Sequence, residues 1–507
     1  MLSNEQKSNK MLDAFAIQLA VEFDNAYAEK DISKTKSLIG KTEEEFPELN
    51  VFSQAKVYYS LGTAYGDIAT LDKSESTEEN LEKQLFYFQK SFQLIQSLDL
   101  TDPELGPHIN GLLLQLYTNY ANVLDSCGRK LKALEMYHKA LSINRNFTMA
   151  IGNAGIVYYR YALIVPDPIH CNYINHFAYH YLKKAGEAEK GVEPAVLKIF
   201  KNVVERYDEE YVKEVLKPSL NISQYSYFGK ELDYRNWALK NHLFLNPLND
   251  LPVAELCFAG DVMHLPNMTV KIDAKPSLHG LYNQLKQEYI FARYQFYESL
   301  EIPQETHFAD KETYLLQFAD YPQYSIRIEK MKSAFRILYS LLDKVAFFIN
   351  EYFNLGISEK LINFRSIWRS KKLRKNGDDF ENILKPTENI CLSSLYWISK
   401  EMYEQKEYST NPIAKEIYDL RNSFEHKYVK IYSECFPQRT DGEIDDLAVY
   451  LSEERLQFIT LDLLKLMREA LINLSLAVHI EETKRERIND KPTFNKSFLA
   501  YEDEWKL

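Results

Sequence analysis

Residues 411–431 read NPIAKEIYDLRNSFEHKYVKI, and their periodicity decides the fold. Asn411 is a helix cap, and Pro412 suits the first helical position, where its missing N–H has no intrahelical partner to lose. At ~100° per residue, Ile413, Ile417, Leu420, Phe424 and Ile431 fall within ~60° of one another and form one core-facing stripe. Arg421, Glu425, Asn422 and His426 spread in that order across the other side, with Tyr418 and Val429 on the same outer face. Asn422 and His426 stand at i, i+4, within reach of a side-chain hydrogen bond. Apolar groups flanking a polar cluster predict a covered surface, such as a contact between two copies of the chain.

Three more helices surround this one. The first, about 329–355, carries Met331, Phe335, Leu338, Leu342, Val345, Ile349 and Phe353 at helical spacing and stops at Gly356. A second is expected at about 391–408. The last, about 453–479, has Ser452 as its cap, Glu453 and Glu454 in its first turn, and the stripe Leu456, Ile459, Leu463, Met467, Ala470 and Leu474. Short connections make the four helices an antiparallel bundle. The rest of the 507-residue chain agrees: Gly (16) and Pro (17) are scarce and Tyr (36) abundant, which suits packed helices and argues against a turn-rich β-sandwich. The fold class is all-α.

Upstream, residues 117–146 read YTNYANVLDSCGRKLKALEMYHKALSINRN. Tyr117, Tyr120, Ala121 and Leu124 share one helical face, Gly128 makes a turn, and Ala133, Tyr137 and Ala140 share the next. The phase restarts at Ile151 with Ala154, Gly155 and Tyr158. An earlier copy begins at Tyr58 with Leu61, Gly62 and Tyr65, and resumes at Phe88, Lys90 and Ser91 after a charged insertion. Segments 11–29 and 32–45 supply one more helical pair. The spacing resembles the tetratricopeptide repeat, with Arg145 where that pattern has proline. Such arrays present a concave surface and rarely do chemistry, so this region is expected to hold a protein or ligand partner. The expected division is repeats over 1–165, a helical connecting region over 166–325, the bundle over 326–480 and a charged tail over 481–507.

The net charge of −12 excludes a protein that coats nucleic acid through its overall field. The five cysteines are far apart with no CxxC, which excludes a disulfide framework or zinc ribbon and fits a reducing cytoplasm. The polar start MLSNEQKSNK is unlike a signal peptide, and no apolar run is long enough to cross a membrane. In the connecting region His176 and His180 stand at i, i+4 with His170 and Cys171 nearby, but no HExxH arrangement accompanies them. Packed histidines are the reading taken there, and no metal or other cofactor is expected. NPLND, at 246–250, is a turn with no evident chemistry.

RNSFEH, at 421–426, resembles the signature of the HEPN superfamily, whose unit is a small helical bundle. DKVAFFINEYF, NFRSIW, LSSLYWISKEMYE and RNSFEHKY in succession, with WALKNHLFLNPLNDL upstream, are similar to a subfamily that joins tetratricopeptide repeats to a C-terminal HEPN domain. The resemblance implies a metal-independent endoribonuclease acting as a homodimer, with a role in toxicity or antiviral defence. The residue types agree with that chemistry. RNA carries its own nucleophile in the 2′-hydroxyl. His426 would move the proton, imidazole being the side chain suited to acid–base work near neutral pH. Arg421 would hold the charge that builds on the phosphate, and Asn422 would orient one or the other. RSIWRSKKLRK supplies Arg365, Arg369, Lys371 and Lys372 to bind an RNA backbone, with Trp368 to stack a base. Two other readings stand beside this: a non-catalytic dimeric adaptor whose bundle binds nucleotide or RNA, and a metal hydrolase built on His176 and His180.

Overall fold

The computed structural model describes residues 13–44, 48–72, 77–188, 192–214, 226–268, 277–303, 305–315, 322–368, 388–403, 412–433, 447–488 and 503–506. The fold is all-α, with one two-stranded sheet added among the described residues. Contacts divide the chain into two compact units, residues 1–163, 171–218 and 400–415 forming one, and 164–170, 219–399 and 416–507 the other. Residues 171–218 thus cluster with the repeats, and 219–325 with the bundle.

The first unit is a series of helices: α1 (Ala14–Ala28), α2 (Ile32–Glu44), α3 (Val51–Leu71), α4 (Thr77–Gln96), α5 (Gly106–Ser126), α6 (Lys130–Ile143), α7 (Thr148–Ala162), most of α8 (Pro168–Gly186), α9 (Pro194–Val204) and α10 (Glu209–Glu214). Consecutive helices pack on each other, α3 on α4, α5 on α6, α6 on α7. Small residues at the repeating positions let large ones in: a Cβ on Gly62 would lie 2.6 Å from the Phe88 ring, and one on Gly155 2.8 Å from Leu182. Gly128 takes φ +84° where the chain reverses between α5 and α6. Several buried polar groups are matched: the Tyr137 hydroxyl donates to Asn122 Oδ1 at 2.6 Å, and Lys130 and Arg160 both reach Asp125.

The second unit holds α11 (Gly229–Lys240), α12 (Ser277–Glu301), α13 (Ile326–Tyr352), most of α14 (Ile390–Tyr403), α15 (Pro412–His426) from Glu416 onward, and α16 (Glu453–Ile488). α13 packs on α12 and α16 through its apolar stripe, from Met331 to Ile349, which is fully buried. Ser452 caps α16, its hydroxyl accepting the Arg455 N–H at 3.1 Å. That helix continues to Ile488, beyond the expected end near 479. Asn411, expected to cap α15, lies outside the described residues.

NPLND turns out to be a structural core. Pro247–Asp250 form a buried 3-10 turn in which Asn246 Oδ1 accepts the Leu248 N–H at 2.9 Å. Arg468 of α16 clamps it, donating to both Asp250 oxygens at 2.6 and 3.0 Å and to the Asn246 carbonyl at 2.9 Å. Arg293 of α12 grips Asp261 in the same bidentate way, at 2.7 and 2.9 Å.

A histidine pair lies near this core. His479 Nε2 is 3.3 Å from the His264 carbonyl and the two rings are 6.0 Å apart. Burial, joined by the His264 ring, pushes the His479 pKa down to about 4. The unfolded chain therefore takes up a proton that the folded one refuses, and stability should fall as pH drops from 6.5 toward about 4. Urea midpoints at several pH values check this, with His479→Gln expected to flatten the slope over that window.

Candidate functional site

Helix α15 buries Ile417, Leu420, Ser423 and Phe424, and the Phe424 ring meets Phe335 of α13 edge-on at 5.4 Å. The helix stops at His426, short of the expected run. Residues Tyr428–Tyr432 form a strand, β1, paired in parallel with β2, Ala448–Ser452. Ile431 is buried as expected, but as a strand residue, and Val429 is buried rather than on an outer face. Arg336 of α13 holds the helix end, donating to the Phe424 carbonyl at 3.0 Å and lying 3.8 Å from Glu425. Glu425 is thus placed against Arg336, so the surface ion pair that spacing allows between Arg421 and Glu425 is not made.

Arg421 is half-buried, with an aromatic ring and an amide oxygen against it. Its guanidinium stands 5.6 Å from the Tyr339 ring centre and donates to Asn422 Oδ1 at 3.1 Å. The Asp343 carboxylate lies within its field. Burial pushes the Asp343 carboxyl above its ordinary value, opposed by the Phe364 N–H, which donates to it at 3.0 Å, and by Arg421. The site therefore fixes a cation and its orientation without burying it completely. Asn422 serves Arg421, not His426: the expected i, i+4 hydrogen bond is absent among the described residues, because the amide oxygen is turned to the guanidinium.

His426 is the last residue of the helix and is exposed. A single chain thus brings Arg421 and Asn422 together and leaves His426 facing outward. The residues missed from sequence are Arg336, Tyr339 and Asp343. They form a second row on α13 at i, i+3 and i+7, beside the apolar stripe, and that spacing was a readable signal.

Of the RNA-binding residues expected in the basic run, Arg365 is half-buried, while Arg369, Lys371 and Lys372 lie outside the described residues. Trp368 is a core residue rather than a free stacking surface: it is 9% exposed and packs edge-on against Phe364 and Tyr396. The His176 and His180 rings are 4.4 Å apart, but no group of three or more His, Cys, Asp or Glu suited to a metal ion is present among the described residues.

Residues 269–481 match the family model of LA2681-like HEPN domains. That stretch is a HEPN domain. The match takes in α12 to α15, most of α16, β1, β2 and the whole Arg421–His426 motif, and it begins well upstream of the expected bundle start at 326. HEPN domains as a group are associated with RNA cleavage and with nucleotide or RNA binding, and often with dimerisation. The match does not extend to the repeats, where the tetratricopeptide likeness stays a likeness. No curated protein and no solved structure matches the chain. Among the described residues, no helix is long and apolar enough to cross a membrane.

Proposed function

We propose that the chain is a cytoplasmic endoribonuclease of HEPN type, cutting RNA by attack of the 2′-hydroxyl without a metal ion. The observation that carries this reading is the guanidinium of Arg421, oriented by Asn422 and Tyr339 within the field of Asp343, on the same helix whose end presents His426. A pre-set fork is suited to a phosphate that gains charge in the transition state, and a solvent-facing imidazole is suited to moving a proton on and off a sugar hydroxyl. Because one chain presents a single Arg/His set, a homodimer that apposes two α15 helices supplies the second proton carrier. In this proposal residues 1–165 are tetratricopeptide-like repeats that restrain or trigger the nuclease by binding a protein or ligand, as befits a toxin or antiviral effector.

The second reading, a non-catalytic dimeric adaptor that binds nucleotide or RNA, is favoured by one feature: no hydrogen bond among the described residues links His426 to Arg421 or Asn422 within a chain. Incubating purified protein with labelled single-stranded RNA in the presence of a chelator separates the two. Cleavage that survives the chelator is the expected result; intact RNA at all protein concentrations supports the adaptor.

A further inference from the structure

Immediately beyond His426 the chain enters β1, so the strand starts within about 7 Å of the imidazole-bearing residue along the backbone. From His426 to Ser433 the sequence HKYVKIYS holds two lysines and no carboxylate, in a chain of net charge −12. Val429 and Ile431 are buried on one face of β1; on the other Tyr428 is exposed, Tyr432 is half-buried, and Lys430 between them is buried, at 5% exposure. The parallel register pairs Lys430 with Tyr450, which places that ring on the same face. Tyr432 and Tyr450 stack at 5.8 Å with their planes 16° apart. The Lys430 ammonium lies 5.2 Å from the Tyr428 ring centre and 5.8 Å from that of Tyr450. Tyr324, just ahead of α13, hydrogen-bonds the Tyr428 hydroxyl at 2.7 Å, and its neighbour Gln323 donates its N–H to the Ile431 carbonyl at 2.7 Å. Tyr324 and Tyr428 are 47% and 42% exposed, large apolar rings at the surface beside the motif.

We propose that this tyrosine face is the substrate platform of the adjoining site, on which unpaired bases of single-stranded RNA stack while the flanking phosphate reaches Arg421 and His426. The proposal rests on the ribonuclease reading of that pair. Two physical points select the occupant. The exposed rings of Tyr324 and Tyr428, held with their hydroxyls tied to one another, offer π-surface to any base without reading its edges. The exposed Lys427 between His426 and the strand, and the strand's direct continuity with His426, favour a polyanion over a neutral peptide. Bases locked in a duplex cannot use such a face, because their own stacking occupies it. The substrate class is therefore single-stranded RNA with little sequence preference next to the cut.

The test uses the full chain carrying His426→Ala, so that RNA survives the measurement, and a labelled single strand of mixed sequence about 12 nucleotides long, with its duplex as the comparison. Adding Tyr324→Ala and Tyr428→Ala together is expected to weaken single-strand binding by about tenfold or more while duplex binding is unchanged. Tyr324→Phe with Tyr428→Phe keeps the rings and is expected to bind like the parent. Three results overturn the platform: no measurable binding of the single strand, an alanine pair that binds it like the parent, or equal losses for single strand, duplex and the phenylalanine pair. An unaffected alanine pair would reassign the face to a protein contact. Parallel cleavage assays with His426 intact keep the two ideas apart. A chain that fails to cut yet loses binding with the alanine pair removes the nuclease and keeps the platform; one that cuts equally well with and without the pair does the reverse.

Discussion

Replacing His426 with alanine is expected to lower the rate of RNA cleavage by about 10²–10⁴-fold, the usual contribution of one positioned acid–base group. The fold should not change. His426 is exposed at the last position of α15 and makes no hydrogen bond to a described residue, so the stability cost should stay within about 0.5 kcal/mol. Loss of cutting with an unmoved melting temperature is the combined result to look for. Arg421→Lys makes a sharper companion. It keeps the charge but loses the planar fork that Asn422 and the Tyr339 ring orient, and should lose much of the rate as well. Full activity in His426→Ala would remove the imidazole from the chemistry.

The largest stability effect is expected far from that motif, at Arg468. The side chains of Arg468 and Asp250 are both about 4% exposed, and the guanidinium also satisfies the carbonyls of Phe244 and Asn246. Arg468→Ala would strip a buried carboxylate of its bidentate cation and two carbonyls of one of their donors, at a cost of about 3–5 kcal/mol. Removing both charges together, as Arg468→Met with Asp250→Leu, should recover a good part of that loss, because no lone charge then stays inside. Urea denaturation followed by far-UV circular dichroism reads both. A change below about 1 kcal/mol for Arg468→Ala would mean that water reaches this loop.

What the sequence made legible divides along physical lines. The stripes of α13 and α16 could be read because a helix buried along one side repeats its apolar residues at the period of its own backbone, from Met331 to Ile349 and from Leu456 to Leu474. Strand β1 was not legible, since Ile431 continues the helical phase of Ile417 and Phe424, and what turns YVKIY into a strand is a partner at Ala448–Ser452. YVKIY does carry β-branched and aromatic residues in alternation, a signal that a run of five leaves ambiguous. Arg421, Asn422 and His426 could be chosen by residue type and spacing. Their environment was legible only in part: the row Arg336, Tyr339 and Asp343 shows on its own helix, but a wheel drawn for one helix does not say that it meets Arg421 on another. NPLND illustrates the same limit: its turn is local chemistry, but its burial depends on Arg468, 218 residues away. Trp368 was misplaced for a related reason, since the basic residues around it suggested a surface while Phe364 and Tyr396 enclose its ring.

The central claim is chemical, and the ends of the cut RNA test it most directly. In a chelator-containing buffer, mass analysis of the fragments should show a 2′,3′-cyclic phosphate on one side and a free 5′-hydroxyl on the other, and a single 2′-deoxy substitution at the cut position should block the reaction. Fragments bearing 5′-phosphate and 3′-hydroxyl ends, or cutting that proceeds past the 2′-deoxy sugar, would contradict attack by the substrate's own hydroxyl and with it the roles given to Arg421 and His426.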